Sequence, residues 1–331
     1  MNIDFSTDYL GFKLSTPLVA SAGPVTSLPQ NLPRLEEFGA GAIVLPSLFA
    51  EQIEHEELAV YDFYSEMDEA HAESRSYFPE MDFYNSGRDK YLQNIELAKQ
   101  SVKIPVFASL NCRAAGQWTR EAKRLQDAGA DAIEINIYDV VADIERDSRA
   151  VELEQVKIIE SIRSQVQIPI AVKLGPYYTA LPHFARQLAD AGANGLVLFN
   201  RYLEPEMDLQ EMSVQPHLEL SRPNEMRLPL RWIAILRDVL PISLAGTSGV
   251  HSPGDAIKLI MAGADVVMMT SAMLKMGVDH MESMFLGMKT WMHANEYTSI
   301  TQMKGSMSRK NCPDPAGFER SNYIKAIVSY V

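Results

Sequence analysis

A chain of 331 residues with 47% apolar content is long enough for one large barrel with insertions or for two smaller domains. Its 30 Lys and Arg against 43 Asp and Glu give a net charge of -13, which repels phosphate backbones and argues against a nucleic-acid partner. Two cysteines, Cys112 and Cys312, without a CxxC pair, argue against a disulfide framework or a zinc site and fit a reducing compartment.

In chain order, the amino terminus MNIDFSTDYLGFKL has neither a basic start nor a long apolar run. The expectation is a soluble, cytoplasmic protein with no membrane partner. Eight strand candidates follow: PLVASA (17–22), AIVLPS (42–47), PVFASLN (105–111), AIEINI (132–137), PIAVKL (169–174), GLVLFN (195–200), ISLAG (242–246) and VVMMTS (266–271). Most are near-continuous apolar runs, as parallel strands buried on both faces require. Between them lie TREAKRLQDAG, VELEQVKIIESIRSQV and HFARQLADAG, with apolar positions three or four apart, the spacing of amphipathic helices.

A short phrase ends helix after helix. Phe38-Gly39-Ala40-Gly41, Ala128-Gly129-Ala130-Asp131, Ala191-Gly192-Ala193-Asn194 and Ala262-Gly263-Ala264-Asp265 each precede an apolar strand. Glycine accepts the left-handed turn that closes a helix, so each copy reads as the joint of a βα unit. The fold expected is a single α/β domain over residues 1–331, a (β/α)8 barrel. The competing architecture is an open doubly wound sheet. Two insertions follow strand ends on the catalytic face, at about 51–89 and 201–229, and a helical tail runs over about 279–331. Long loops there serve as lids, substrate walls or dimer contacts.

The strand ends carry the chemistry. Lys173 interrupts an apolar strand near its carboxyl end, where an unpaired ammonium is costly to bury. It serves either as a cation facing an anionic or electron-rich ligand, or as half of a structural ion pair. Asn136 and Asn200 stand at comparable places on flanking strands, where amides can bond a planar ligand or satisfy loop backbone. Glu134 shares the face of Asn136 and reads as deeper and structural. The run Gly246-Thr247-Ser248-Gly249-Val250-His251-Ser252-Pro253 directly follows the seventh strand. Ser252 and Pro253 read as N-cap and first helical residue. The turn, with Thr270 and Ser271 after the eighth strand, reads as a phosphate cradle, or as a tight turn with no ligand. The seven histidines form no HxH or HExxH pattern, so no metal is expected. His251 alone is well placed, with capping or exposure as its role.

On YLGFKLSTPLVASAG, PVFASLNCRAAGQWTREAKRLQDAGADAIEINI, IPIAVKLGPYYT and LAGTSGVHSPGDAIKLIMAGADVVMMTSAML, the chain resembles the dihydroorotate dehydrogenase family from about residue 3 to about 305. It also looks like the flavin-reducing barrel of dihydropyrimidine dehydrogenase. The resemblance implies an oxidoreductase acting in pyrimidine biosynthesis, with FMN across the barrel mouth and a small-molecule substrate. It places Ala20, Ser21, Ala22 and Gly23 beside the flavin and Lys173 near its ring. Gly246, Thr247, Ser248, Gly249, Thr270 and Ser271 would hold its phosphate. Asn136 and Asn200 match asparagines of the fourth and sixth strand motifs, orienting ring and substrate, and Asn85 matches a substrate asparagine. The family's soluble members imply a homodimer. The electron acceptor stays open, and any iron–sulfur centre would belong to another chain.

The chain departs from the family's pattern at the catalytic loop. Where the family continues with Ser or Thr, then a Cys or Ser base, Pro and Asn, this sequence reads Tyr138-Asp139-Val140-Val141. Asp139 then stands at the base position, and a carboxylate can do that work when its environment suits. Pro46 stands for the second-strand lysine. Three functions remain open: the flavin oxidoreductase on dihydroorotate or a related ring, a catalytically degenerate barrel acting as subunit or regulator, and a flavin-free barrel for a phosphorylated metabolite. Cys112 and Cys312 are either displaced bases or inert thiols.

Overall fold

The repeated phrase does the same work at each of its four positions. The computed structural model describes residues 3–49, 87–112, 117–319 and 327–328. Asn85 and nearly all of the first insertion therefore lie outside the described residues. Gly39, Gly129, Gly192 and Gly263 take positive φ values of 98°, 97°, 105° and 127°. The next amide returns to the closing helix in every case: Ala40 to Leu35, Ala130 to Leu125, Ala193 to Leu188 and Ala264 to Leu259. The residue after that pairs with the preceding strand. Gly41, Asp131, Asn194 and Asp265 donate their N–H groups to the carbonyls of Leu18, Val106, Ile170 and Leu244. In three copies its side chain accepts from an amide at the start of that strand as well: Asp131 from Val106 at 2.7 Å, Asn194 from Ile170 at 2.9 Å, and Asp265 from Leu244 at 2.8 Å.

The product is a closed parallel barrel. The strands are β1 (Thr7–Tyr9), β2 (Phe12–Leu14), β3 (Leu18–Ala20), β4 (Ala42–Phe49), β5 (Val106–Cys112), β6 (Ala132–Ile137), β7 (Ile170–Leu174), β8 (Gly195–Leu198), β9 (Glu204–Asp208), β10 (Ser213–His217), β11 (Ser243–Gly246) and β12 (Val266–Met269). Eight of them close in the order β11-β12-β3-β4-β5-β6-β7-β8, all parallel. These correspond to the eight apolar runs of the sequence, so the barrel replaces the open-sheet alternative.

Strand alternation divides the core in two. Val19, Val44, Phe107, Ala132, Ala171, Val197, Ala245 and Met268 pack inside the barrel. Leu18, Ile43, Leu110, Ile133, Val172 and Leu196 join the larger cluster against the helices. The β1–β2 hairpin closes the amino-terminal end. Its Tyr9, Leu10 and Leu14 pack with the inner set, Leu10 N–H donates to Ser243 Oγ at 3.0 Å, and Thr7 donates to Asp265 O at 2.9 Å. The carboxyl ends of the strands form the opposite mouth of the barrel.

The second insertion carries a hairpin and a helix. β9 and β10 form an antiparallel hairpin with Met207, Leu209, Met212 and Val214 exposed. The turn Pro223–Met226 and helix Arg227–Leu236 then return the chain to β11. The tail contributes helices His280–Ala294, Ile300–Met303 and Ala316–Glu319, the first burying Met281, Met284, Met288 and Met292. Among the described residues no helix is long and apolar enough to cross a membrane.

Candidate active site

Register brings three polar residues to one level at the mouth. Asn111 on β5, Asn136 on β6 and Lys173 on β7 are successive Cα partners. Two residues deeper lie Ser47, Ser109, Glu134 and Ala171, again partners across β4 to β7. Phe107, Ala132 and Ala171 point inward, so strand alternation points Ser109, Asn111, Glu134, Asn136 and Lys173 inward too. Layered side chains fill such barrels. Here the upper layers turn from aliphatic to polar, which an apolar core does not need.

Each polar group has a defined partner or a defined lack of one. Asn200, just beyond β8, donates its backbone N–H to Leu174 O, and its Nδ2 reaches Asn136 Oδ1 at 2.8 Å. Lys173 Nζ lies 3.5 Å from Glu134 Oε1, both side chains nearly enclosed. Glu134 Oε2 is buried with no hydrogen-bond partner among the described residues. Ser47 and Ser109 share a 2.8 Å hydrogen bond, and Tyr91 donates its hydroxyl to Pro46 O at 2.7 Å. Burial first, then the nearby Glu134 charge, pushes the Tyr9 phenol well above its ordinary range.

The turn after β11 is left-handed at two successive residues. Ser248 and Gly249 have φ values of 71° and 75°. Thr247 N–H donates to Leu198 O. The N–H groups of Ser248, Gly249 and Val250 donate to no described residue. A side chain at Gly249 would overlap the backbone nitrogen of Met226. Ser252 caps helix Pro253–Ala262 in a reciprocal box with Asp255, as the sequence predicts. The hydroxyls are engaged elsewhere: Ser248 to Phe199 O at 3.0 Å, Thr270 to the carbonyls of Ser21 and Ala22 at 3.3 Å, and Ser271 accepting from Ser221 N–H at 3.1 Å. Ser21 is buried beside this point, Ala20 packs toward the helices, and a Cβ at Gly23 would meet Thr270 at 2.5 Å.

His251 is neither a cap nor free. Its Nε2 lies 3.0 Å from Ser221 Oγ, and its carbonyl lies 3.0 Å from His280 Nε2. Burial, then the Lys275 charge, lowers its pKa. Lys275 donates to Ser221 O at 2.9 Å, so the second insertion is stitched to the rim at Ser221.

The departed loop builds an aromatic wall. Tyr138 and Tyr202 have ring centroids 4.5 Å apart, and Tyr177 lies 5.5 Å from Tyr202. Leu203 N–H donates to Tyr138 Oη at 2.9 Å. Burial raises the Tyr202 pKa, partly offset by the Asp139 backbone. A Cβ on Gly175 would stand 2.5 Å from the Tyr202 hydroxyl, so glycine there makes room for the ring. Asp139 faces Arg146 at 3.5 Å, and Arg146 also pairs with Glu154. These three line a crevice with Ile137, Val151, Gln155 and Ile158, against helix Ser148–Arg163.

Thus Asn136, Lys173 and Asn200 come together, and the Gly246–Gly249 turn stands at the same end of the barrel. Asp139 sits to one side, on the helix-facing parity of Ile137. Sequence reasoning missed Asn111, whose register with Asn136 is set by pairing rather than motif. It also missed the Tyr138–Tyr177–Tyr202 wall, gathered from three loops, and the Ser221–His251 link. Cys312 is partly buried, with Sγ 3.6 Å from Arg309 O. Among the described residues no group of His, Cys, Asp and Glu could hold a metal.

Comparison with known proteins supplies the name for this arrangement. The family model described as dihydroorotate dehydrogenase matches residues 70–292. The protein called dihydroorotate dehydrogenase B (NAD(+)), catalytic subunit, of Thermoplasma volcanium is 26% identical over 310 residues, covering 91% of this chain and 98% of the relative. Its namesake in Methanocella arvoryzae is 27% identical, covering 79% and 84%. A putative dihydroorotate dehydrogenase A (fumarate) of Aeropyrum pernix is 26% identical, covering 63% and 70%. A closed barrel with a polar mouth, matched over most of its length by that model, belongs to the dihydroorotate dehydrogenase family, and the chain is a dihydroorotate dehydrogenase-like oxidoreductase.

Proposed function

We propose that the barrel mouth binds FMN and that the chain oxidises dihydroorotate, or a related dihydropyrimidine-like ring. The observation that carries this reading is the set of three amides at Ser248, Gly249 and Val250 that donate to no described residue, at the same barrel end as Asn136, Lys173 and Asn200. The residues fit a flavin mononucleotide. Free amides in a left-handed turn suit a phosphate, and the engaged hydroxyls of Ser248, Thr270 and Ser271 brace the loops around it. Ala22 and Gly23 keep the first rim loop small. Bound FMN would supply a two-electron acceptor for the hydride that leaves the substrate.

The chain's own groups do the rest. Asn136 and Asn200 hold one another and present their remaining amide atoms to a ring with alternating donors and acceptors. Lys173 supplies positive charge beneath it. Asp139 is the group assigned to receive the substrate proton, which requires its carboxylate to turn from Arg146 toward the mouth. Tyr138, Tyr177 and Tyr202 would wall one side of the site. Asn85 belongs to the same substrate assignment, and a homodimer to the same overall reading.

The test is anaerobic addition of dihydroorotate to the FMN-loaded protein, followed by visible absorbance. Bleaching of the flavin band supports the reading. A flavin that bleaches with dithionite but not with dihydroorotate or related dihydropyrimidines contradicts the substrate assignment.

A further inference from the structure

Lys173 is paired with a carboxylate from a deeper layer of the barrel. Its Cα is level with Asn136, yet its Nζ lies 3.5 Å from Glu134 Oε1, whose Cα partner is Ala171, two residues deeper. A separation of 3.5 Å is long for a charge-assisted hydrogen bond, so the ammonium is held loosely and by charge. No hydrogen-bond partner for Lys173 other than Glu134 occurs among the described residues.

Glu134 is 2% exposed and its Oε2 has no partner. The large majority of buried side-chain oxygens in folded proteins have a hydrogen-bond partner, so an orphaned one calls for an explanation. Among the described residues the other titratable groups facing it are phenols. Tyr9 comes from the hairpin beneath, and Tyr91 from helix Arg88–Ser101 feels the same charge. Tyr91 is occupied by Pro46 and Ser109. Among the described residues Lys173 is therefore the cation that answers Glu134, and Glu134 is what offsets Lys173.

We propose that Glu134 is a positioning residue that holds Lys173 and offsets its charge, thereby setting how strongly the site prefers an anionic reduced flavin ring over the neutral oxidised one. This rests on the flavin reading above. An anionic ring at the mouth competes with Glu134 for the ammonium. Removing the carboxylate charge leaves the lysine free to serve the ring alone, and the preference for the reduced form increases.

The experiment is equilibrium binding of oxidised FMN and of dithionite-reduced FMN to the apoprotein, under anaerobic conditions, for wild type and Glu134→Gln. The readout is the ratio of the two dissociation constants. A loss of packing weakens both states alike and leaves the ratio unmoved, whereas a charge effect moves it. The ratio should shift toward the reduced form by about tenfold or more in Glu134→Gln, and fall below wild type in Lys173→Met. Glu134→Met, of similar volume and no charge, reads the same shift if the glutamine variant does not fold. A ratio within about twofold of wild type in the folded Glu134 variants overturns the inference while FMN binding stands. Failure of the wild type to bind either form of FMN overturns the flavin reading, and this inference with it.

Discussion

Asn200 Nδ2 meets Asn136 Oδ1 at 2.8 Å, tying the end of β8 to the end of β6 over β7, the strand that carries Lys173. The bond orients both amides before any ligand arrives. Asn136 is 8% exposed, so losing its partner leaves a buried polar group unsatisfied, at about 1–3 kcal/mol. Asn200→Ala should lower unfolding stability by about that amount and weaken FMN binding about tenfold or more. Urea denaturation and flavin fluorescence titration check the two effects. Full retention of affinity would place the flavin elsewhere.

Gly249 is required for two independent reasons. Its φ of 75° is left-handed, and a Cβ there would overlap the Met226 backbone. Gly249→Ala should therefore cost about 1–3 kcal/mol and disturb the free amides of the turn. In the folded variant, affinity should fall for FMN and not for riboflavin, because only FMN carries the phosphate.

His251 makes stability depend on pH. Burial, then Lys275, lowers its folded pKa below the ordinary 6.5, so the folded state prefers the neutral ring. Its contribution is present above pH 6.5 and is lost as pH falls through the lower folded value. Thermal denaturation between pH 7.5 and about pH 5 should show a decline that is shallower in His251→Gln. An unchanged slope would remove His251 from the account.

Gly175 makes room for the Tyr202 hydroxyl. Gly175→Ala brings a Cβ to 2.5 Å from it, and should displace Tyr202 from its contacts with Tyr138 and Tyr177. The expected result is a raised KM for the ring substrate with FMN affinity changed less than about threefold. Equal loss of both would mean the aromatic wall supports the flavin rather than the substrate.

Asp139→Asn removes the assigned proton acceptor and keeps the shape. General-base catalysis contributes about 100-fold or more, so substrate-driven flavin reduction should slow by at least that factor, while dithionite reduction is unaffected. A change under about threefold would assign Asp139 to its ion pair with Arg146.

The barrel was legible because its signal is local and repeated. Gly39, Gly129, Gly192 and Gly263 close their helices with the same bonds, so one reading served all four. Lys173 and Asn136 were legible because charge and amide stand out in apolar strands. Asn111 was not, because its level with Asn136 follows from strand pairing. Nor was the partner of Lys173: Glu134 shares a face with Asn136 in the sequence, but its approach to Lys173 follows from the pairing of β6 with β7. The hydroxyls of Ser248, Thr270 and Ser271 fit a phosphate pattern in sequence, and in the fold each also bonds to neighbouring backbone.

The most direct test of the flavin site is titration of the purified apoprotein with FMN and, separately, with riboflavin. The account predicts saturation at one FMN per chain, with riboflavin bound about 100-fold or more weakly for want of the phosphate held at Ser248, Gly249 and Val250. No FMN binding, or riboflavin binding as tight as FMN, would contradict it.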